Sequence, residues 1–130
     1  MRTDAQATGD DAESTVAADL AGRGWTILAR NVRVGRGELD IVAIDPGPPA
    51  ELVIVEVRWR RSRAFGLAEE SLDHRKRAHL RAAIGRLLED GLASGVALPG
   101  LPMRVDLIVV EPAVGSASSP RTRHHRAIPL

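Results

Sequence analysis

The sequence predicts an α/β domain of three layers, a mixed central sheet flanked by helices, in the order αβββαβ with a further short strand at the end. Three observations predict it. Residues 35–44 and 52–60 are rich in β-branched and aliphatic side chains, and the Asp45-Pro46-Gly47-Pro48-Pro49 stretch between them can continue neither strand nor helix, so the two read as a strand pair. Residues 69–90 repeat apolar positions at helical spacing, and a shorter repeat of the same kind precedes the strands. A β-rich run at 103–110 follows the long helix and has to return to the same sheet.

Taken in order, residues 1–9 are polar and read as a flexible N-terminal tail, which leaves 10–130 as a single domain. Asp10 or Asp11 can cap a helix to about Ala21, with Ala12, Val16 and Leu20 on one face and Gly22 or Gly24 ending it. Residues 25–29 form a short strand leading through Asn31 and Val32 to a turn at Gly35-Arg36-Gly37, and the two central strands follow. Residues 60–66 are a basic loop. In the long helix Leu72, Lys76, Leu80, Ile84, Leu87 and Leu88 trace one stripe, Ser71 is placed to cap its start, and Gly91 stands where a left-handed residue closes a helix. Residues 92–102 form a loop. The next strand buries its Val105, Leu107 and Val109 side, and after a linker at 112–120 an edge strand can form at 123–128.

At 130 residues the chain is one domain, able to bury roughly two-thirds of the surface its unfolded form exposes. Without cysteine it has neither disulfides nor thiolate metal ligands, and a cytoplasmic location is expected. The acidic start excludes a signal peptide and no apolar run is long enough to span a bilayer, so no membrane association is expected. Net charge is only +1, but it is unevenly spread. Arg58, Arg60, Arg61, Arg63, Arg75, Lys76, Arg77, Arg81 and Arg86 are answered in their span only by Glu69, Glu70 and Asp73, as on a phosphate-binding face. Arg60, Arg61 and Arg63 directly follow the second central strand, where a nucleic-acid backbone would lie. Trp25, Trp59 and Phe65 are the aromatic residues, too few for extensive base stacking.

Charged side chains inside the central strands are the anomaly. Alternation sends Glu38 and Asp40 to one face of the first strand, and Glu56 and Arg58 to one face of the second. Glu56 starts from a strand that is otherwise apolar on both faces, so it needs a partner, either Arg58 or a metal. Asp40 and Glu56 are hard oxygen ligands suited to Mg²⁺ or Mn²⁺, and the backbone carbonyl of Val57 can add a third oxygen. Arg58 can then contact phosphate bidentately. Glu13 from the first helix can complete the acidic cluster, although a place in the first turn already explains a carboxylate by the helix dipole. Glu38 reads as a strand-end residue bracing the ligands, and Lys76 can lay its stem over the core with its ammonium at the site. His74 reads as an exposed helix residue, His124 and His125 as a solvated edge, and Arg104 with Asp106 as partners on one strand face. The competing reading of the acidic pair is a structural ion-pair network with Arg58.

Gly37-Glu38-Leu39-Asp40-Ile41-Val42, then Leu52-Val53-Ile54-Val55-Glu56-Val57-Arg58, Phe65-Gly66, Lys76 in a helix and Arg104-Val105-Asp106 in a late strand resemble the YraN family of small bacterial proteins. The resemblance covers residues 10–110, and the family is similar to the Holliday-junction-resolvase branch of the restriction-endonuclease-like, PD-(D/E)xK fold. It implies a restriction-endonuclease-like sandwich and a metal-dependent endonuclease that hydrolyses nucleic-acid phosphodiesters, DNA of branched form above all. By the motif, Asp40 takes the place of the metal aspartate, Glu56 of the second acidic ligand, Arg58 of the lysine and Glu13 of the N-terminal helix glutamate. Arginine stays protonated, so Arg58 cannot be a general base, but it can stabilise a negatively charged transition state. The resemblance includes arginine at this place in some relatives. A homodimer is implied by the two-fold symmetry of resolvase substrates. Two readings of other classes stand beside it: a non-catalytic nucleic-acid-binding module, and a structural or interaction protein whose acidic cluster is paired to Arg58.

Overall fold

The computed structural model describes residues 4–60, 72–112 and 120–130. Within them the elements follow the expected order: α1 (Asp4–Gly22), β1 (Thr26–Val34), β2 (Gly37–Asp45), β3 (Glu51–Trp59), α2 (His74–Asp90), β4 (Met103–Glu111) and β5 (Arg121–His125). The strands form one sheet in the order β1-β2-β3-β4-β5. Only β3 and β4 run parallel; the other neighbours are antiparallel, so the sheet is mixed. The parallel pair follows from the sequence between its strands, since a parallel return needs a crossover and α2 supplies it.

Alternation along β2 and β3 divides the core into two apolar layers. Ile41, Ala43, Val53 and Val55 meet Ala12, Val16 and Leu20 of α1 on one face. On the other, Val42, Leu52 and Ile54 meet Leu80, Ala83, Ile84 and Leu87 of α2. Helices on both faces of a mixed sheet make the three layers that the sequence predicts. Burying each of these larger side chains is worth roughly 1.5–3 kcal/mol, so the two apolar layers hold the sheet and leave the polar strand ends available for chemistry. No helix among the described residues is long and apolar enough to cross a membrane.

Several boundaries differ from expectation, each for a local reason. The first helix begins at Asp4, not at an Asp10 or Asp11 cap, so most of the expected tail is helical; no proline interrupts 4–10. Glu13 therefore lies well past the first turn, and the helix dipole no longer accounts for it. β1 continues to Val34, past an irregularity between Ile27 and Ala29 and a left-handed Asn31 at φ 51°. Asn tolerates that conformation better than most side chains. The long helix starts at His74, capped by Asp73, whose carboxylate accepts the Lys76 N–H at 2.9 Å. Residues 69–71, with the expected Ser71 cap, lie outside the described residues, as do Arg61, Arg63, Phe65 and Gly66. Leu88 falls off the buried stripe and is 54% exposed. β4 is buried on both sides from Val105 to Glu111, because Ile108 and Val110, on the side expected to be open, pack into the cluster with Val16 and Leu20 of α1.

The turn between β2 and β3 depends on one glycine. Gly47 has φ 64°, and a Cβ there would run into the carbonyl of Pro49. Its N–H also donates to Oδ1 of Asp45 at 2.9 Å, closing the turn that sets the β2–β3 register.

Candidate active site

The β2–β3 ladder stops short of the strands' length. Its register pairs Asp45 with Glu51 through to Ile41 with Val55. The next opposed positions are Asp40 and Glu56, and there the strands part. β2 stays paired to β1 as far as Gly37 opposite Val34, while β3 stays paired to β4 as far as Trp59 opposite Val110. The sheet thus splits between its second and third strands. Alternation aims Asp40, Glu56 and Arg58 into the gap from the α2 side, and the first turns of α2 roof it. The result is a cleft of about 410 Å³ lined by Glu38, Asp40, Glu56, Val57, Arg58 and Lys76, with Arg36, His79, Leu80 and Ala83 completing the wall.

The contacts show what the gap does to these groups. Oδ2 of Asp40 accepts the Val57 N–H at 2.8 Å, in place of a β2 backbone carbonyl. Glu56 is 3% exposed, as its central strand requires, and its Oε1 lies 3.3 Å from Lys76 Nζ and 3.5 Å from an Arg58 guanidinium nitrogen. Asp40 and Glu56 both line the cleft, near enough for the charge of Glu56 to act on Asp40. Burial first, and then the neighbouring Glu56 charge, push the Asp40 carboxyl up to about 7, against the opposing pull of the Val57 N–H. Asp40, in a partly buried notch beside Glu56, resists ionising unless a cation joins it there. The side chain of Arg58 lines the cleft, and its Nε is buried behind it with no hydrogen-bond partner among the described residues.

The structure brings Asp40, Glu56, Val57, Arg58, Lys76 and Glu38 together in the cleft. Glu13 reaches its edge indirectly: with its amide turned to donate, Asn31 lies 2.7 Å from Glu13 Oε1 and 3.3 Å from Glu38 Oε1. Arg60 does not line the cleft; its N–H extends the β3–β4 pairing by donating to the Val110 carbonyl at 2.9 Å. Among the described residues no group of three or more Asp, Glu and His side chains is placed to share one ion. Sequence reasoning missed His79, Arg36 and Asn31. His79 was legible, being three residues after Lys76 and so on the same helical face. Arg36 sits in a turn and Asn31 at a left-handed position inside β1, where spacing carries no direction.

His124 also corrects an expectation. It is no solvated edge: its Nε2 lies 2.8 Å from Asp106, on the face of the sheet opposite the cleft. Asp106 in turn pairs with Arg104 at 3.0 Å, as the strand alternation predicts.

The donor set fits a hard divalent cation. Two carboxylates and a backbone carbonyl's strand position meet in one notch, all oxygen, with cations on the flanks that would otherwise hold the charge alone.

The family model described as uncharacterised protein family UPF0102 matches residues 12–110. Among relatives, the chain is 43% identical over 103 residues to a UPF0102 protein of Roseiflexus castenholzii, covering 78% of this chain and 77% of that one. It is 43% identical over 102 residues to one of Moorella thermoacetica, covering 78% of each. To a UPF0102 protein of Sorangium cellulosum it is 49% identical over 82 residues, covering 63% of this chain and 55% of that one.

Proposed function

The chain belongs to the UPF0102 family, as its resemblance to the YraN proteins leads one to expect, and we propose that it is a metal-dependent endonuclease acting on nucleic acid. One observation carries this reading: Asp40 and Glu56 face each other across a break in the sheet. A structural ion pair with Arg58 needs one buried carboxylate; a second one, pushed up to about 7 by burial and by the first, makes the notch worse as a structural device and better as a cation site.

Asp40 and Glu56 would hold Mg²⁺ or Mn²⁺ with the Val57 carbonyl, and the bound ion would supply charge neutralisation at a phosphodiester and a more acidic water. The chain's own residues do the rest. Arg58, whose side chain lines the cleft, donates its outer guanidinium nitrogens to non-bridging phosphate oxygens, which stabilises the charge that develops during attack. Lys76, on Glu56 in the free protein, turns to the phosphate when Glu56 is otherwise occupied. Glu38 and Asn31 keep Glu13 at the rim, where it can brace a water. The order of elements is compatible with the restriction-endonuclease-like sandwich that the motif implies.

The test is calorimetric titration of Mn²⁺ into the wild type and Asp40→Ala, alongside cleavage of branched and linear DNA. Metal binding and cleavage are expected to vanish together in the variant while the fold survives. Cleavage retained by Asp40→Ala would overturn the assignment. The absence of a third acidic or imidazole ligand among the described residues favours, as second reading, a module that binds nucleic acid without cutting it. Under that reading, binding falls steeply with salt and Asp40→Ala leaves it unchanged or stronger.

A further inference from the structure

The cleft continues into a second cavity of about 660 Å³ between the β1–β2 turn and the outer face of α2, which the chemistry above does not use. Arg36, Gly37, His79 and Ala83 line both cavities, so the two form one groove. The second part differs in character from the first. Its floor is Gly35, Gly37, Ala82 and Ala83, with almost no side-chain bulk. Gly37 lies so near α2 that a Cβ on it would stand 3.4 Å from that of Ala83, so the floor is kept low by the absence of a side chain. The walls are Arg36 and Arg86, with His79 at the junction, and no carboxylate lines this part among the described residues.

Both arginines are exposed, and among the described residues Arg86 is held only by an i,i+4 pair with Asp90 at 3.5 Å, the two side chains being 61% and 63% exposed. Exposed pairs of this kind are worth about 0.2–1 kcal/mol, so the Arg86 guanidinium is readily surrendered to another anion. An apolar floor between cationic walls matches a ligand that is flat and apolar on its face and anionic along its edge. Single-stranded nucleic acid is such a ligand, and arginine serves it twice, against phosphate and over a base.

We propose that this groove holds a single strand of nucleic acid leaving the cleft, so that the favoured substrate carries an unpaired tail or flap beside the scissile bond. The proposal rests on the nuclease reading of the adjoining cleft. It is tested by fluorescence anisotropy, without added divalent ion, using a blunt DNA duplex and the same duplex with a single-stranded tail of about eight nucleotides, within the range that single-strand grooves cover. The proteins compared are the wild type, Ala82→Leu and Arg86→Gln. Ala82 is an exposed helical position, so leucine raises the floor without altering charge or breaking the helix. The wild type is expected to prefer the tailed DNA. Ala82→Leu should abolish that preference, and Arg86→Gln should weaken tailed binding several-fold and reduce its salt slope by roughly 0.7, the loss of one single-strand phosphate contact. Neither should change blunt-duplex binding or the Mn²⁺ titration. Equal affinity of the wild type for both DNAs, or a preference that survives Arg86→Gln, would overturn the proposal. If Mn²⁺ binding is intact in that case, the groove assignment alone has failed; if Mn²⁺ binding is absent from the wild type, the nuclease reading has failed with it. Should Ala82→Leu not fold, Arg86→Gln decides. Displacement of tailed and blunt DNA alike by polyglutamate would instead identify an acidic polypeptide as the occupant.

Discussion

Val57 donates its backbone N–H to Oδ2 of Asp40 at 2.8 Å, so the rung at which β2 and β3 part is made by a side chain. That geometry holds a carboxyl where ionisation is costly, and it has a consequence for stability. Burial, and then Glu56, raise Asp40 from 3.8 to about 7 in the folded chain. The folded state therefore takes up a proton between about pH 4 and pH 7. The stability this represents is fully present below about pH 4 and is lost as pH rises through about 7, a swing on the order of a few kcal/mol. Asp40→Asn keeps an oxygen for the Val57 N–H and removes the charge. It should melt well above the wild type at about pH 8.5 and close to it at about pH 4. An equal difference at both pH values would show that charge is not what the notch resists.

On the opposite face of the sheet Arg104 gathers Asp45 at 2.9 Å, Glu51 at 3.1 Å and Asp106 at 3.0 Å, beneath the ring of Trp25. Asp106 is fully buried and also accepts from the Ala127 N–H at 2.9 Å, so this cluster ties the chain after β5 to the centre of the sheet. Arg104→Ala leaves a buried carboxylate without its guanidinium partner and should cost about 3–5 kcal/mol in urea unfolding. Its pH dependence has the opposite sign to that of Asp40. For Asp106 burial acts upward, but the His124 bond and then Arg104 outweigh it and lower the carboxyl. For Asp45 burial is likewise outweighed, by the Gly47 N–H and Arg104. Stability from these groups is present above about pH 4 and is lost as pH falls through their lowered folded values. In Arg104→Ala that acid-side loss should flatten; an acid limb as steep as that of the wild type would assign it to other carboxylates.

The parts of the site that were legible in the sequence are those where a strand's period of two fixes direction. Glu56 and Arg58 share a face because alternation leaves no other choice, the β2–β3 register brings Asp40 to the same face, and burial of Glu56 followed from the apolar residues on either side of it. What alternation does not encode is where a ladder ends. The break after Ile41 and Val55 is a property of two strands choosing different neighbours, and neither strand alone records it. The reversal for His124 has the same origin. Its neighbour Asp106 lies 18 residues earlier on another strand, and only the β4–β5 register brings them together. Helix starts were misplaced at Asp10 or Asp11 and at Ser71 because several residues can cap, and the choice between them is made by what the first turn touches.

At α2 that choice falls on Asp73, and Lys76 shows why it matters. The Asp73 carboxylate accepts the Lys76 N–H at 2.9 Å, and the side chain of the same lysine reaches Glu56 at 3.3 Å. One residue is thus fixed by its backbone at the helix start and by its ammonium in the cleft. Asp73→Ala should lower stability by about 1 kcal/mol, the usual cost of losing an N-cap. It should also loosen Lys76, so that DNA binding at low salt weakens beyond what a lost surface carboxylate would produce, since removing a negative charge alone should strengthen it. Asp73→Ser restores the cap but not the charge and separates the two effects. Recovery of stability and DNA affinity by serine would place the role in the helix start; stability recovered without affinity would mean that the Asp73 carboxylate acts otherwise than through the cap, and affinity undiminished in Asp73→Ala would mean that Lys76 is positioned by Glu56 alone.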